Sequence, residues 1–287
     1  MEPVNSILRA VKVLDILKDQ GTLSYMGILK RMDVPKSTLF KILATLEDQE
    51  LVNRDQETNK YRLGAKLLEW GAGAQSQLEF RKIALPFMQK LSDDLDCTVQ
   101  LTVVVQEELL PVESIESKTW FWQPFKFPGF LGQTSPLHCT AAGKIALAFM
   151  DEQERERVIG DRGLSRYTKN TITSKKALLS ELKKIRERGY SISNAEHDEL
   201  IRAVACPVRD HSGKVIAALS VLDVVTRMKP ERALHVVEPV KKMAAEISRQ
   251  LGYLPNNPQI SSSSRTRSSG MSGPMSGITR SQGPSSP

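Results

Sequence analysis

Lys36, Ser37 and Thr38, followed one helical turn later by Lys41, put two ammonium and two hydroxyl groups on a segment that opens with Pro35. Donors of these types suit phosphate oxygens and base edges when a helix enters the major groove N-terminus first. Pro35 fixes φ, lacks an N–H and pushes Val34 out of helical geometry, so a helix starts at Pro35 or Lys36. The amide groups of that terminus add a further attraction for phosphate. Downstream, Arg54, Lys60 and Arg62 flank the polar turn Asp55-Gln56-Glu57-Thr58-Asn59 and place positive charge on two short strand-like runs, 51–54 and 60–63.

Catalytic chemistry finds little support. Ser135, His138 and Asp151 are near one another in sequence, but a hydrolytic triad is defined by spatial roles and no G-x-S-x-G elbow is present. Gly143-Lys144 is incomplete as a phosphate loop, because His138 stands where the earlier Gly is needed and Ile145 where Ser or Thr is needed. His138, His197, His211 and His235 show no metal-ligand spacing, and Glu196-His197-Asp198, being adjacent, would not converge on one face of a helix or strand. Cys97, Cys139 and Cys206 are odd in number and widely spaced, which leaves reduced, partly buried thiols. No catalytic residue, metal ligand or cofactor is therefore assigned, and His138 reads as a structural hydrogen-bonding residue.

The elements that must position the basic groups are legible from periodicity. Ile28 and Leu29 share one side of a short pattern, while Leu39, Ile42, Leu43 and Leu46 follow i, i+3, i+4 and i+7 spacing. Ile7, Ala10, Val11, Leu14 and Leu17 form another apolar stripe that stops before Gly21, so three helices share one core, followed by a β-hairpin. That layout is a winged helix-turn-helix. Residues 65–77 read as a linker helix interrupted by Gly71 and Gly73, and 79–95 as a further helix, with Pro86 near the start of a new segment. Beyond it, runs 97–105, 109–116, 203–209 and 214–222 have strand composition, and 140–150, 152–159, 174–188 and 230–251 read as helices, giving an α+β domain with an antiparallel sheet.

Residues 23–64, with Pro35-Lys36-Ser37-Thr38, Leu51-Val52 and Tyr61-Arg62-Leu63-Gly64, resemble the DNA-binding half of the IclR family of bacterial transcription regulators. Pro136-Leu137-His138-Cys139-Thr140-Ala141-Ala142-Gly143-Lys144, Arg188-Gly189-Tyr190, Cys206-Pro207-Val208-Arg209-Asp210 and 212–221 resemble further segments of that family in the expected order. The resemblance implies a GAF/PAS-like, effector-binding second domain and a homo-oligomer, dimer or tetramer, that sets two recognition helices on one double-stranded DNA operator. Carried over position by position, it assigns operator contacts to Lys36, Ser37, Thr38, Lys41, Arg54, Lys60 and Arg62. It assigns an effector site to Thr140, Ala141, Ala142, Ser193, Ala203, Ser220 and Leu222, where a helix N-terminus favours a small organic acid. This chain departs from the pattern at Ser193, Ala203, Leu222 and Leu200, which are smaller or more apolar than usual and favour an aromatic or otherwise apolar-bodied acid. In the DNA-binding half Gly27, Leu29, Asp33, Lys41 in place of Arg and Glu50 in place of Gly depart likewise. Lys41 matters most, since Lys contacts guanine less selectively than a bidentate Arg.

The expected division is 1–64 winged helix, 65–78 linker helix, 79–254 effector-binding and oligomerisation domain, and 255–287 a disordered Ser/Gly/Pro-rich tail. The chain's net charge of +7 over 287 residues suits an anionic partner, yet the first 66 residues carry eleven Lys and Arg against nine Asp and Glu, so DNA contact rests on a local patch. No membrane span or signal peptide is visible, which implies a cytoplasmic protein. Trp120, Phe121, Trp122, Phe125, Phe127 and Phe130 concentrate aromatic area in one segment that reads as core filling, a lid or a subunit contact. Two rival readings stay open: a winged helix that contacts protein instead of DNA, and a second domain that processes its ligand.

Overall fold

Helix α1 (Asn5–Gln20) ends at Gly21, whose φ of +69° turns the chain back toward a three-stranded sheet. The computed structural model describes residues 2–118 and 133–255; the aromatic segment and the tail from 256 lie outside the described residues. The chain divides into two compact units between Lys82 and Ile83.

In the first unit α1, α2 (Tyr25–Leu29) and α3 (Lys36–Asp48) close around Val13, Leu17, Ile28, Leu39, Leu43, Leu46 and Tyr61. Ile7 and Val11, which spacing alone assigns to that core, are exposed. The inward face of α1 is centred on Val13 and Leu17, and at 3.6 residues per turn Ile7 and Val11 lie roughly 100–140° away from it. Strands β1 (Leu23–Ser24), β2 (Val52–Arg54) and β3 (Lys60–Leu63) form an antiparallel sheet in the order β1-β3-β2. β1 escapes sequence reading because it is only two residues long. Gly64 closes the hairpin against the end of α3: a Cβ there would lie 1.9 Å from the Glu50 carbonyl oxygen, so no other residue fits without backbone movement. Helix α4 (Lys66–Ser76) buries none of its residues and runs unbroken through Gly71 and Gly73, correcting the expected interruption.

α5 (Glu79–Leu95) is likewise continuous, with Pro86 inside it and not at a start. In the second unit β4 (Thr98–Val105), β5 (Glu108–Ile115), β6 (Ser191–Asn194), β7 (Ile201–Arg209) and β8 (Val215–Val224) make one antiparallel sheet, order β5-β4-β8-β7-β6. Helices α6 (Ala141–Phe149), α7 (Glu152–Arg162) and α8 (Lys175–Arg188) pack their apolar side chains with Leu109, Ala205 and Ala218 of the sheet. α9 (Pro230–Gln250) covers β7 and β8, burying Val236, Val237, Val240, Ala244 and Ile247. Because strand side chains alternate, Ala203 and Ala205 share one face of β7 while Val204 points to the other.

Candidate functional sites

Pro35 is the residue before α3 and has no side chain that can cap it, which leaves the first-turn amides for another acceptor. Tyr25 donates its hydroxyl to the Lys36 carbonyl at 2.6 Å and so ties α2 to the start of α3. Leu39, Ile42, Leu43 and Leu46 face inward, and Lys36, Ser37 and Lys41 are exposed, with Thr38 half-buried. Phe40, 64% exposed, and Ala44 share the outward side with Lys41. The donor pattern of the sequence gives no sign of this apolar strip.

On the hairpin, Tyr61 enters the core while Lys60 and Arg62, two residues apart, are exposed. The tip is built by Asp55, whose Oδ1 accepts from the Thr58 amide at 2.7 Å and the Thr58 hydroxyl at 2.8 Å. These bonds, with Arg62 nearby, hold the Asp55 carboxyl below its ordinary pKa. Arg54 is partly engaged, donating to Asn59 Oδ1 at 2.6 Å with its guanidinium 5.7 Å from the Tyr61 ring centroid.

The second unit contains a cavity of about 590 Å³, mouth included, between the sheet and the start of α6. Thr140 caps α6: its Oγ1 accepts from the Gly143 amide at 3.1 Å and donates to the Pro136 carbonyl at 3.1 Å. Ala141 and Ala142 follow on the first turn, ahead of the first amide that the cap satisfies. Gly143 is required because a Cβ would come within 2.3 Å of the Leu137 carbonyl oxygen, so the loop packs directly on the helix backbone. Ser193, Ala203 and Leu222 are register partners across β6, β7 and β8, and Ser220 pairs with Gln100 one rung along. Ser193 Oγ donates to the Cys139 carbonyl at 3.1 Å, joining the edge strand to the loop before α6.

Thr140, Ala141, Ala142, Ser193, Ala203, Ser220 and Leu222 all line this cavity. Gln100, Thr102, Leu109, His197, Asp198 and Ile201 also line it and were not foreseen. Gln100 and Thr102 follow from the β4–β8 register, which no single strand reveals, whereas His197 and Asp198 lie on the loop between β6 and β7. Burial pushes the His197 imidazole below its ordinary pKa, with Asp198 opposing that shift. Behind the loop, Lys144 donates to Glu196 Oε1 at 2.6 Å and to the Ile192 carbonyl at 2.8 Å. Both partners of this ion pair are buried, at 1% and 8% side-chain exposure.

His138 points elsewhere, with Nε2 2.9 Å from the Ser165 carbonyl oxygen. Cys97, Cys139 and Cys206 are free and buried, and burial pushes each thiol up to about 12. Among the described residues no cluster of His, Cys, Asp and Glu is arranged to hold a metal, and no helix is long and apolar enough to cross a membrane.

Three helices, a hairpin wing and a basic outward helix face define a DNA-binding protein of the winged helix-turn-helix class, here joined to an α+β unit with a cavity. Residues 72–249 match the family described as bacterial transcriptional regulator IclR C-terminal, and residues 8–62 match the MarR family. The transcriptional regulator XynR of Escherichia coli K12 is 32% identical over 254 residues, 88% of this chain and 99% of that protein. KdgR of the same organism is 31% identical, covering 88% and 94%. A crystal structure of an IclR regulator from Alicyclobacillus acidocaldarius superimposes with a TM-score of 0.76 at 29% identity, covering 88% of this chain and all of that one. The chain belongs to the IclR family of bacterial transcriptional regulators. It is a DNA-binding regulator and not an enzyme, which sets aside the ligand-processing alternative.

Proposed function

We propose that this cytoplasmic regulator reads its operator with α3 and the hairpin and is switched by a small organic acid in the cavity beside α6. Lys36, Ser37, Thr38 and Lys41 contact phosphates and base edges of the major groove, while Arg54, Lys60 and Arg62 hold the adjacent backbone. Phe40 and Ala44, on the same outward side as Lys41, supply apolar contact to thymine methyl groups. Two copies act together, with 1–64 as the DNA-binding domain, 65–78 as linker and 79–254 as the effector-binding domain.

The observation that carries the effector reading is the cavity itself. It is bounded by the first turn of a helix, where amides without intrahelical partners favour an anion, and by Leu109, Ile201, Ala203 and Leu222, which suit an apolar body. An acid that binds the DNA-bound and free forms unequally shifts the balance between them. Footprinting of the DNA upstream of its own and neighbouring genes, with and without aromatic and aliphatic acids, tests this. A protected palindrome altered by an acid is expected. Absence of protection at low salt would transfer the winged helix to a protein-contact role, and protection indifferent to every acid would remove the effector assignment.

A further inference from the structure

The cavity has one wall that no family resemblance assigns. His197 and Asp198 reach it from the β6–β7 loop, and that loop is held from behind by several bonds. Thr168 Oγ1 donates to the Ala195 carbonyl at 2.7 Å, Thr171 Oγ1 donates to the Glu196 carbonyl at 2.6 Å, and the Glu196 carboxylate receives Lys144. Asp198 Oδ1 accepts from the Leu200 amide at 2.7 Å, fixing the carboxylate at the loop's end. A loop this well tethered presents its side chains to the cavity at defined positions, as a specificity element requires.

The charge inventory of the cavity then restricts what fits. Among the described residues that line it there is no Lys or Arg, and the one carboxylate is Asp198. A ligand carboxylate therefore has the first turn of α6 and neighbouring hydroxyls as its hosts, and a second carboxylate would meet Asp198 with no cation between them. Of the cations beside the loop, Lys144 is paired with Glu196, and Arg202 donates to Asn194 Oδ1 and is not among the residues that line the cavity. Burial favours a neutral His197, which offers a donor or an acceptor but no compensating positive charge.

We propose that Asp198, with His197 beside it, is the specificity determinant of the effector cavity and selects a monocarboxylic acid bearing a hydroxyl group, excluding dicarboxylic acids. The hydroxyl donates to the Asp198 carboxylate while the acid group sits on α6. This rests on the reading that the cavity holds an organic acid, and adds to it the chemistry of the ligand's other end. The exclusion is electrostatic: it works by placing an unpaired like charge where a diacid must put its second group.

Calorimetric titration of the full chain with two matched series tests the proposal. One series is benzoate, 4-hydroxybenzoate and terephthalate; the other is butyrate, 4-hydroxybutyrate and succinate. In whichever series fits the cavity, the hydroxy acid should bind tightest and the diacid at least about tenfold more weakly than the hydroxy acid. Asp198→Asn keeps an oxygen for the Leu200 amide and removes the charge, so it should bring the diacid within about threefold of the hydroxy acid, with the melting temperature confirming a folded chain. If acids bind but the diacid is not disfavoured, or Asp198→Asn leaves the ratio unchanged, the specificity role falls and the acid-binding reading stands. If no acid of either series binds the parent chain, both fall. Ala142→Trp, which puts an indole on the first turn of α6 where it lines the cavity, should abolish binding of all members; retained binding would place the acids at another site.

Discussion

Glu50 adopts a left-handed backbone conformation, φ +56°, at the turn between α3 and β2. A side chain in that conformation costs about 1–2 kcal/mol, partly offset by the extra freedom that Gly has in the unfolded chain. Glu50→Gly should therefore stabilise the first unit by about 0.5–1 kcal/mol, visible as a rise of roughly 2–5 °C in its thermal transition by circular dichroism. A fall in that temperature would mean that the Glu50 side chain contributes something that outweighs the strain. Lys144 presents the opposite case, since its charge is buried and matched by a single carboxylate. Lys144→Met strands the Glu196 carboxylate and should cost about 3–5 kcal/mol, whereas Lys144→Met with Glu196→Leu should recover much of the loss. Urea unfolding of the three chains checks this, and an equal cost for the single and double variants would show that the ion pair is not what holds the loop. The Lys144–Glu196 pair was not legible in the sequence: Gly143-Lys144 stood out, but its partner lies 52 residues away along the chain.

Elements were legible where one physical requirement dominated. α3 combines a Pro start with four apolar residues at helical spacing, and all four are buried. β7 and β8 were visible from their composition, but β6, a four-residue edge strand reading Ser-Ile-Ser-Asn, carries too little apolar signal to be seen. The wall formed by His197 and Asp198 was missed for a similar reason, because it belongs to a loop whose position depends on Thr168, Thr171 and Lys144. At this scale the division of labour between α3 and the hairpin can be measured. Lys36, Lys41 and Arg62 are exposed charges on two elements, so their joint replacement by Ala should weaken operator binding and make the slope of log affinity against log salt shallower by about 3 per protomer. Affinity unchanged at moderate salt in a mobility-shift titration would remove both elements from the interface.

At the scale of the molecule, the exposed stripe on α1 bears on assembly. Val4, Ile7, Leu8 and Val11 lie on one side of the helix, away from Val13 and Leu17, and α4 exposes Leu68 (78%) and Trp70 (54%) on a helix that buries nothing. A helix apolar on two sides has use for two partners, one its own core and the other outside the chain. As the occupant we propose a second copy, because a single winged helix offers one recognition helix and the proposed palindromic operator requires two. Linking two such contacts raises affinity by about 10²–10⁴ without any new contact to a base. Placing charges on the stripe with Ile7→Glu and Val11→Glu leaves the buried Val13–Leu17 face intact, so the unit should still fold. The variant should sediment as a smaller species than the parent at micromolar concentration and bind the operator roughly 10²-fold more weakly, with the binding curve shifted toward occupation of separate half-sites. If it sediments with the parent and keeps its affinity, the stripe is not the surface that brings two recognition helices together. If it dissociates but keeps operator affinity, one winged helix suffices and the two-fold reading of the operator fails.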